Sequence, residues 1–443
     1  MDRTPEGTSG TSILDLPHYP ITPLTGLDTV VEVVGSKSYT NRFLAIAGLC
    51  AQPTTLHNAL HSQDTILLAE ALRRLGHVDV ELRPDVPSIT VSPNGRPMRA
   101  PAQEIDMGNA GTPIRFLITM AALADGRTVL TGNQRMRERP MGHLLEALRA
   151  LGVRARALHG NDSPPIEVWG PAWRGGGTHI SGTVSSQFTS SLLVCAPVAE
   201  QGLELHIDGD LVSGPYVDMT IAAMRQAGIG EISVNGYSSF AVPAGQQYLG
   251  GDITVEPDAS AMSYFVAAAA ILGGKVTIPG IGPDSRQGDV GLIKALTDMG
   301  CTCVAGADGI TVEGDALRGI DIDMTRMPDV VPTLAVVAAY AKGRTHITGI
   351  GNLRFKECDR IAAVATELGK MGVRVDTTID TMTIHGGAEP KGAWIHTYDD
   401  HRIAMAFAIA GLRTPGVVIE EPACVTKSFP SFWERFEGLR GGR

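Results

Sequence analysis

Leu72-Arg73-Arg74-Leu75-Gly76, Leu148-Arg149-Ala150-Leu151-Gly152, Met224-Arg225-Gln226-Ala227-Gly228, Leu296-Thr297-Asp298-Met299-Gly300 and Leu368-Gly369-Lys370-Met371-Gly372 are five versions of one phrase. In each, an amphipathic helix runs into an apolar residue and then a glycine, and a strand-like segment follows. Glycine just past the last helical turn is the expected left-handed cap. The five glycines recur at intervals of 76, 76, 72 and 72 residues, a spacing that unrelated helix ends would not keep. A weaker sixth unit ends near Gly438, after Phe432, Trp433 and Phe436. The change of interval after the third unit predicts three units in each half of the chain, joined by the Pro/Gly-rich bridge Pro243-Ala244-Gly245-Gln246-Gln247-Tyr248-Leu249-Gly250-Gly251. Each period can hold two strand–helix units, so each half is expected to arrange mixed strands and several helices around a threefold pseudo-axis. Ala259 to Leu272 is apolar nearly all round and is expected to be a central, buried helix. Polar loops fall at equivalent ends of the repeats, and two such ends facing each other would make a cleft.

A chain of 443 residues suggests two or three domains with ample core. Aromatic residues make up only 5%, which suits α/β layers better than a stacking platform for nucleic acid. The formal charge of -10 argues against a general nucleic-acid or membrane binder, so any field that captures an anion must be local. Cys50, Cys195, Cys301, Cys303, Cys358 and Cys424 lack the paired short spacings of a zinc site and read as reduced thiols, mostly in the core. No run approaches about 18 consecutive apolar residues, so no transmembrane helix is expected. The first twenty residues lack an apolar signal core and the Arg/Ser richness of a transit peptide; a loose tail and a cytoplasmic location are expected.

Chemistry concentrates in the polar loops. Gly35-Ser36-Lys37-Ser38-Tyr39-Thr40-Asn41-Arg42 lies between Val31, Val33 and Val34, read as a strand, and Phe43-Leu44-Ala45-Ile46-Ala47, read as the opening of a helix. Unpaired helix-start N–H groups, hydroxyls, Lys37 and Arg42 would together receive a phosphate or carboxylate. A capped helix with solvated charges explains the segment alone equally well. It is not the nucleotide P-loop, because Ser36 stands where that motif needs glycine before the lysine. Gly108-Asn109-Ala110-Gly111-Thr112-Pro113-Ile114-Arg115 repeats the helix-start geometry, and Arg135-Met136-Arg137-Glu138-Arg139-Pro140 is restrained enough to turn an arginine inward. Val184-Ser185-Ser186-Gln187-Phe188 offers hydroxyls and an amide, and Gly209-Asp210-Leu211-Val212-Ser213-Gly214-Pro215-Tyr216 adds a hydroxyl and a phenol.

Acid–base candidates follow. Asp329, after Met327-Pro328, has N-capping as its simplest explanation. Asn352-Leu353-Arg354-Phe355-Lys356-Glu357-Cys358-Asp359-Arg360 would, as a helix, put Lys356 and Arg360 on one face with Glu357 a turn before Arg360. A carboxylate beside cations stays ionised and can accept a proton. Asp399-Asp400-His401-Arg402 precedes another apolar helix, and Lys427 sits in the last polar turn. No G-x-S-x-G, H-E-x-x-H or EF-hand signature is present. Lys37, Arg42, Arg139, Lys356, Arg360, Arg402 and Lys427 thus describe a metal-free cationic cleft able to hold more than one small anion.

Taken in order from Val31 to Phe432, these segments resemble the 5-enolpyruvylshikimate-3-phosphate synthase family. The resemblance implies a two-domain inside-out α/β barrel, each domain of three βαβαββ units around a pseudo-threefold axis. One domain would be discontinuous, 1–35 plus 255–443, with 36–254 inserted. It implies transfer of the enolpyruvyl group of phosphoenolpyruvate to the 5-hydroxyl of shikimate 3-phosphate through a tetrahedral ketal, with release of phosphate and no cofactor. By the same resemblance Ser38, Arg42, Ser185, Ser186, Gln187, Ser213, Tyr216 and Lys356 surround shikimate 3-phosphate, with Asn352 as a further contact and Asp329 near the 5-hydroxyl. Lys37, Gly111, Arg139, Arg360, Arg402 and Lys427 surround phosphoenolpyruvate, with Asn109, Thr112 and Gln187 beside them. Glu357 would exchange the C3 proton, Asp329 would act on the 5-hydroxyl, and Lys37 would assist charge or proton transfer.

A monomer is the expected state, with no nucleic-acid or membrane partner. Glyphosate is the expected competitor of phosphoenolpyruvate. Two departures bear on this: Phe116 stands where herbicide-sensitive members carry proline, and Gly214 where many carry lysine. The related UDP-N-acetylglucosamine enolpyruvyl transferases would show lysine-asparagine at Lys37-Ser38, and often a loop cysteine. A pseudo-sixfold DNA clamp would distribute its cations along inward helices instead of gathering them in loops.

Overall fold

A computed structural model describes residues 12–441. The described residues form twelve α-helices: α1 (Lys37–Ala47), α2 (Gln63–Arg74), α3 (Gly111–Met120), α4 (Gly142–Ala150), α5 (Ser186–Cys195), α6 (Pro215–Gln226), α7 (Ala259–Leu272), α8 (Leu292–Met299), α9 (Val331–Ala339), α10 (Arg360–Lys370), α11 (His401–Arg413) and α12 (Phe432–Gly438). Five of the helices, α2, α4, α6, α8 and α10, run into the glycines that mark the repeat. Gly76, Gly152, Gly228, Gly300 and Gly372 all have positive φ, between 79° and 119°. The recurrent phrase is therefore a recurrent backbone reversal, which L-residues with a Cβ resist.

Six small sheets accompany the helices, five of four strands and one of three. Each four-stranded sheet follows one rule. In the second unit Ile105–Asp106 runs parallel to Gly126–Thr131, which pairs antiparallel with Ile166–Gly170, itself antiparallel to Arg154–Ala157. Two sheets take their leading strand from a distant part of the chain. Gly251–Thr254 lies parallel to Thr54–His57, and Asp28–Val30 lies parallel to Lys275–Pro279. The polypeptide thus crosses twice between its halves, once near Gly35 and once near Val255.

The strands alternate strictly where one face meets solvent: Leu203, Leu205 and Ile207 are buried while Glu204, His206 and Asp208 are exposed. Helices therefore occupy the interior. All nine residues of α9 are buried, and so is α7 except Ser260 and Leu272. A helix with no polar face needs cover on every side, and α7, α9 and α11 supply it to one another. The buried apolar side chains divide into two clusters. One runs from Tyr39 to Val255, and the other joins Ile21 to Val33 with Ala259 to Leu439. The α/β architecture with interior helices agrees with the fold that the family resemblance implies, and the burial of α7 with the reading of Ala259 to Leu272 as a central helix.

Several local readings change. The strand read at Val31, Val33 and Val34 lies earlier, at Asp28–Val30, because that stretch is in register with Lys275–Thr277. The helix read from Phe43 starts at Lys37, with Ser36 as its cap, so most of the polar segment is the helix's first turns and not a loop before it. The first twenty residues are not all tail: His18–Pro20 pairs antiparallel with Val418–Glu420, while residues 1–11 lie outside the described residues. Gly438 is the last residue of α12 and not a left-handed cap; Leu439 continues at φ -60°. Lys356 and Arg360 do not share a helix, since α10 begins at Arg360 under an Asp359 cap. Of the six free cysteines only Cys50, Cys195 and Cys301 are buried. Among the described residues no helix is long and apolar enough to cross a membrane, and no group of three or more His, Cys, Asp or Glu is placed to hold a metal.

Candidate active site

The N-terminal turns of α1, α3, α5, α6, α10 and α11 and the loops before α6, α9 and α10 converge on one cleft. Its wall carries Lys37, Arg42, Arg115, Arg139, Lys356, Arg360 and Arg402 against three carboxylates, Asp64, Asp329 and Glu357. Ser38, Gly111, Thr112, Ser185, Ser186, Gln187, Ser213, Tyr216 and Asn352 line it as well, with Val184 and Phe355. A protein of charge -10 has thus gathered a local cationic surface. Asn109 and Lys427 stand just behind the wall: Lys427 Nζ donates to the Asn109 carbonyl at 2.7 Å and pairs with Glu357 Oε1 at 3.0 Å.

Arg360 is the organising group. Only 1% exposed, it donates through Nε to Asp400 Oδ2 at 2.8 Å, through Nη1 to Asp329 Oδ1 at 3.2 Å and through Nη2 to Glu357 Oε2 at 2.8 Å. Both candidate acid–base carboxylates therefore hang from one guanidinium. Asp329 also accepts from Lys356 Nζ at 3.1 Å, Arg402 Nη2 at 2.9 Å and the Tyr216 hydroxyl at 3.1 Å. It does not cap α9, whose first-turn amides it leaves alone, so the capping explanation falls. Burial alone would raise both carboxylates. For Asp329 the fields of Arg402, Lys356 and Arg360 win, and for Glu357 those of Lys427, Arg360 and Arg139 win; each is held well below the usual carboxylate range. Burial lowers Lys356, although Asp329 opposes it.

The hydroxyl-rich wall is ordered by side chains of the first half. Arg42 is fully buried and spends donors on Thr220 Oγ1, the Ser38 carbonyl and the Tyr216 carbonyl, which leaves its remaining N–H groups for the cleft. Gln187 accepts from Arg115 and donates to Thr112 Oγ1 at 2.9 Å. Ser185 caps α5 by accepting from the Gln187 amide. Ser213, at φ 57°, receives Asn352 Nδ2 at 3.4 Å from the other half. A Cβ at Gly111 would lie 2.5 Å from Arg139 Nη2, so the absence of a side chain there lets that arginine reach the cleft. Gly214 has a neighbour of its own: Tyr237 packs over it, 2.6 Å from where a Cβ would stand.

Three acidic groups were missed. Asp64, 2% exposed, pairs with Lys37 Nζ at 3.3 Å; in the sequence it looks like an ordinary first-turn acid beside the Ser62–Thr65 capping box. Asp258 accepts from the Lys37 amide at 2.8 Å while capping α7. Asp289 accepts from Ser260 Oγ and stands 3.5 Å from the Tyr216 hydroxyl, and burial with the nearby Asp329 charge raises it to about 6. Neither Asp258 nor Asp289 has a sequence signal beyond a cap or a turn. Arg115 had one: it lies one turn after Gly111 on the same helix face.

Six strand–helix units enclosing a cleft between two halves, with small-anion donors on both walls, make this a two-lobed α/β enzyme for small anionic substrates. A family model described as EPSP synthase (3-phosphoshikimate 1-carboxyvinyltransferase) matches residues 21–436. The 3-phosphoshikimate 1-carboxyvinyltransferase of Vibrio vulnificus (strain YJ016) is 41% identical over 419 residues, 94% of this chain and 97% of that protein. That of Aliivibrio fischeri (strain MJ11) is 42% identical, covering 94% and 98%. Among solved structures, EPSP synthase from Acinetobacter baumannii superposes with a TM-score of 0.78 at 28% identity, covering 96% of this chain and 98% of that one. An enolpyruvyl transferase from Streptomyces tendae shares the fold at 19% identity, with a TM-score of 0.75 over 96% of this chain and 98% of that one. The chain belongs to the EPSP synthase family.

Proposed function

We propose that this protein transfers the enolpyruvyl group of phosphoenolpyruvate to the 5-hydroxyl of shikimate 3-phosphate, and that its two apolar clusters are two domains, 1–35 with 255–443 and 36–254, that close over both substrates. The observation that carries the chemistry is the single guanidinium of Arg360 holding Asp329 and Glu357 in a cationic cleft. The enol ether carbon C2 becomes electrophilic only as C3 takes a proton, so an acid must face the methylene while cations hold the carboxylate and phosphate. Lys37, Gly111, Arg139, Arg360, Arg402 and Lys427, with Asn109, Thr112 and Gln187, receive phosphoenolpyruvate. Ser38, Arg42, Ser185, Ser186, Gln187, Ser213, Tyr216, Asn352 and Lys356 receive shikimate 3-phosphate.

In the addition step Asp329 takes the 5-hydroxyl proton as the O–C2 bond forms and Glu357 gives a proton to C3, which leaves a tetrahedral ketal. In the elimination Glu357 recovers a proton from the C3 methyl as the C2–O bond to phosphate breaks, the departing oxygen takes a proton from Lys37, and the proton that Asp329 gained returns to Lys37 to restore the starting state. Glu357 must carry a proton at the start, although the cations around it favour the ionised form. Phosphoenolpyruvate supplies the change: its anionic groups neutralise the fields of Lys427, Arg360 and Arg139, so that burial, which favours the neutral acid, prevails.

Phosphate release with phosphoenolpyruvate, measured with and without shikimate 3-phosphate, tests this reading. Release is expected only in the complete mixture. No release there, or release with UDP-N-acetylglucosamine in place of shikimate 3-phosphate, would reject it. Glyphosate is expected to compete with phosphoenolpyruvate, weakened by Phe116, which is buried on α3 with the Arg42 guanidinium 5.9 Å from its ring centroid. Phe116→Pro is expected to lower the inhibition constant, and an unchanged constant would remove Phe116 from that role. A monomer in the cytoplasm completes the proposal.

A further inference from the structure

Arg135 does not line the cleft, yet its guanidinium joins a loop of one half to the loop that carries Lys356 and Glu357 in the other. It stands in the same turn as Arg139 and reaches across, donating through Nε to the Lys356 carbonyl at 3.0 Å and through Nη2 to the Arg354 carbonyl at 2.9 Å. Nη1 pairs with Glu138 Oε2 at 3.1 Å, which balances the charge. The oxygen of Lys356 belongs to the planar peptide that links Lys356 to Glu357. Holding that oxygen sets the rotation from which both side chains leave. No helical ladder does this, because Lys356 lies between the turn Gly351–Phe355 and α10, with φ -83° and ψ -158°. Arg354 is anchored separately, by Asp359 at 2.6 Å and by the carbonyls of Ile379 and Thr378. The loop is therefore fixed at its start and at α10, and the peptide between Lys356 and Glu357 is the part left to Arg135.

We propose that Arg135 is a positioning residue for enolpyruvyl transfer: across the cleft it holds the 356–357 peptide so that Glu357 faces C3 of phosphoenolpyruvate and Lys356 faces Asp329. The inference rests on the function proposed above. Two carbonyls side by side suit a planar guanidinium, whereas an ammonium can hold one of them. Misplacement of an acid by about 1 Å costs on the order of 100-fold in rate, so the effect should fall on turnover.

Steady-state phosphate release by wild type, Arg135→Ala and Arg135→Lys tests the proposal, with melting temperatures measured alongside. Arg135→Ala is expected to lose roughly 10- to 100-fold in kcat, with a smaller rise in KM for shikimate 3-phosphate through Lys356, while KM for phosphoenolpyruvate stays within about threefold. Arg135→Lys is expected to fall between alanine and wild type. The side chain is 29% exposed, so millimolar guanidinium can enter the vacated space and is expected to restore part of the alanine variant's kcat without changing wild type. An inactive wild type overturns the enolpyruvyl-transfer reading and this one with it. If wild type is active, an Arg135→Ala kcat within about twofold of it, or a loss that guanidinium leaves unrestored while melting temperature falls, overturns the role of Arg135 alone.

Discussion

Glu357→Gln is expected to lower kcat for phosphate release by roughly 10²- to 10⁴-fold, the usual contribution of a positioned acid or base, while both substrates still bind. Glutamine keeps the shape and one acceptor oxygen, so the Arg360 and Lys427 contacts can be partly retained. It cannot shuttle a proton. Removing a negative charge from the cage also leaves Lys427, Arg360 and Arg139 less neutralised, so phosphoenolpyruvate is expected to bind at least as tightly. The sign of the proton balance gives an independent check. Glu357 lies well below the usual carboxylate range, and an anion brought against the cations that hold it there is expected to raise it. Binding near neutral pH should therefore take up protons. Calorimetry in two buffers of different ionisation enthalpy reads that uptake, and Glu357→Gln should abolish the part due to this residue. Near-normal turnover by the variant would remove Glu357 from the acid–base role.

Arg360→Met is expected to destabilise the protein by about 3–5 kcal/mol, the cost of breaking a buried ion pair and leaving its partner uncompensated. Methionine fills part of the volume but leaves Asp400 facing an apolar group; Asp329 keeps Lys356 and Arg402, and Glu357 keeps Lys427. The pH dependence follows from the directions of the shifts. Asp329 and Glu357 are depressed in the folded protein, so their contribution is present above the ordinary carboxylate pKa of about 4 and is lost as pH falls through the folded values. The gap between variant and wild type should be widest near neutrality and narrow under acid conditions. Urea midpoints at several pH values measure it, and a variant with the wild-type midpoint at pH 7 would contradict the assignment. Turnover should fall with stability, because the same substitution removes one anchoring contact from each acid–base carboxylate.

Glycines at 76, 152, 228, 300 and 372 announced the architecture because a left-handed helix end is a local steric event, decided by the absence of one Cβ. The unbroken apolar surface of α7 likewise required burial wherever that helix was placed. Gly438 misled for the complementary reason: without a left-handed turn a glycine is only a small residue, and α12 runs through it. The cations of the cleft were legible as types at loop positions, since seven lysines and arginines near helix starts have few local uses. Their partners were not. Asp329 looks like a cap to its neighbours in sequence, but the groups that hold it come from Tyr216, Lys356, Arg360 and Arg402. Asp64 and Asp258 meet Lys37 from two other elements.

The sequence by itself determined what depends on a few consecutive residues: where helices stop, which faces must be covered, and how many units the chain contains. Only the tertiary structure decided which carboxylate stands beside which cation. Charges pair across space, at separations of a few ångströms, between residues that the chain places 27 to 113 positions apart around Asp329 alone.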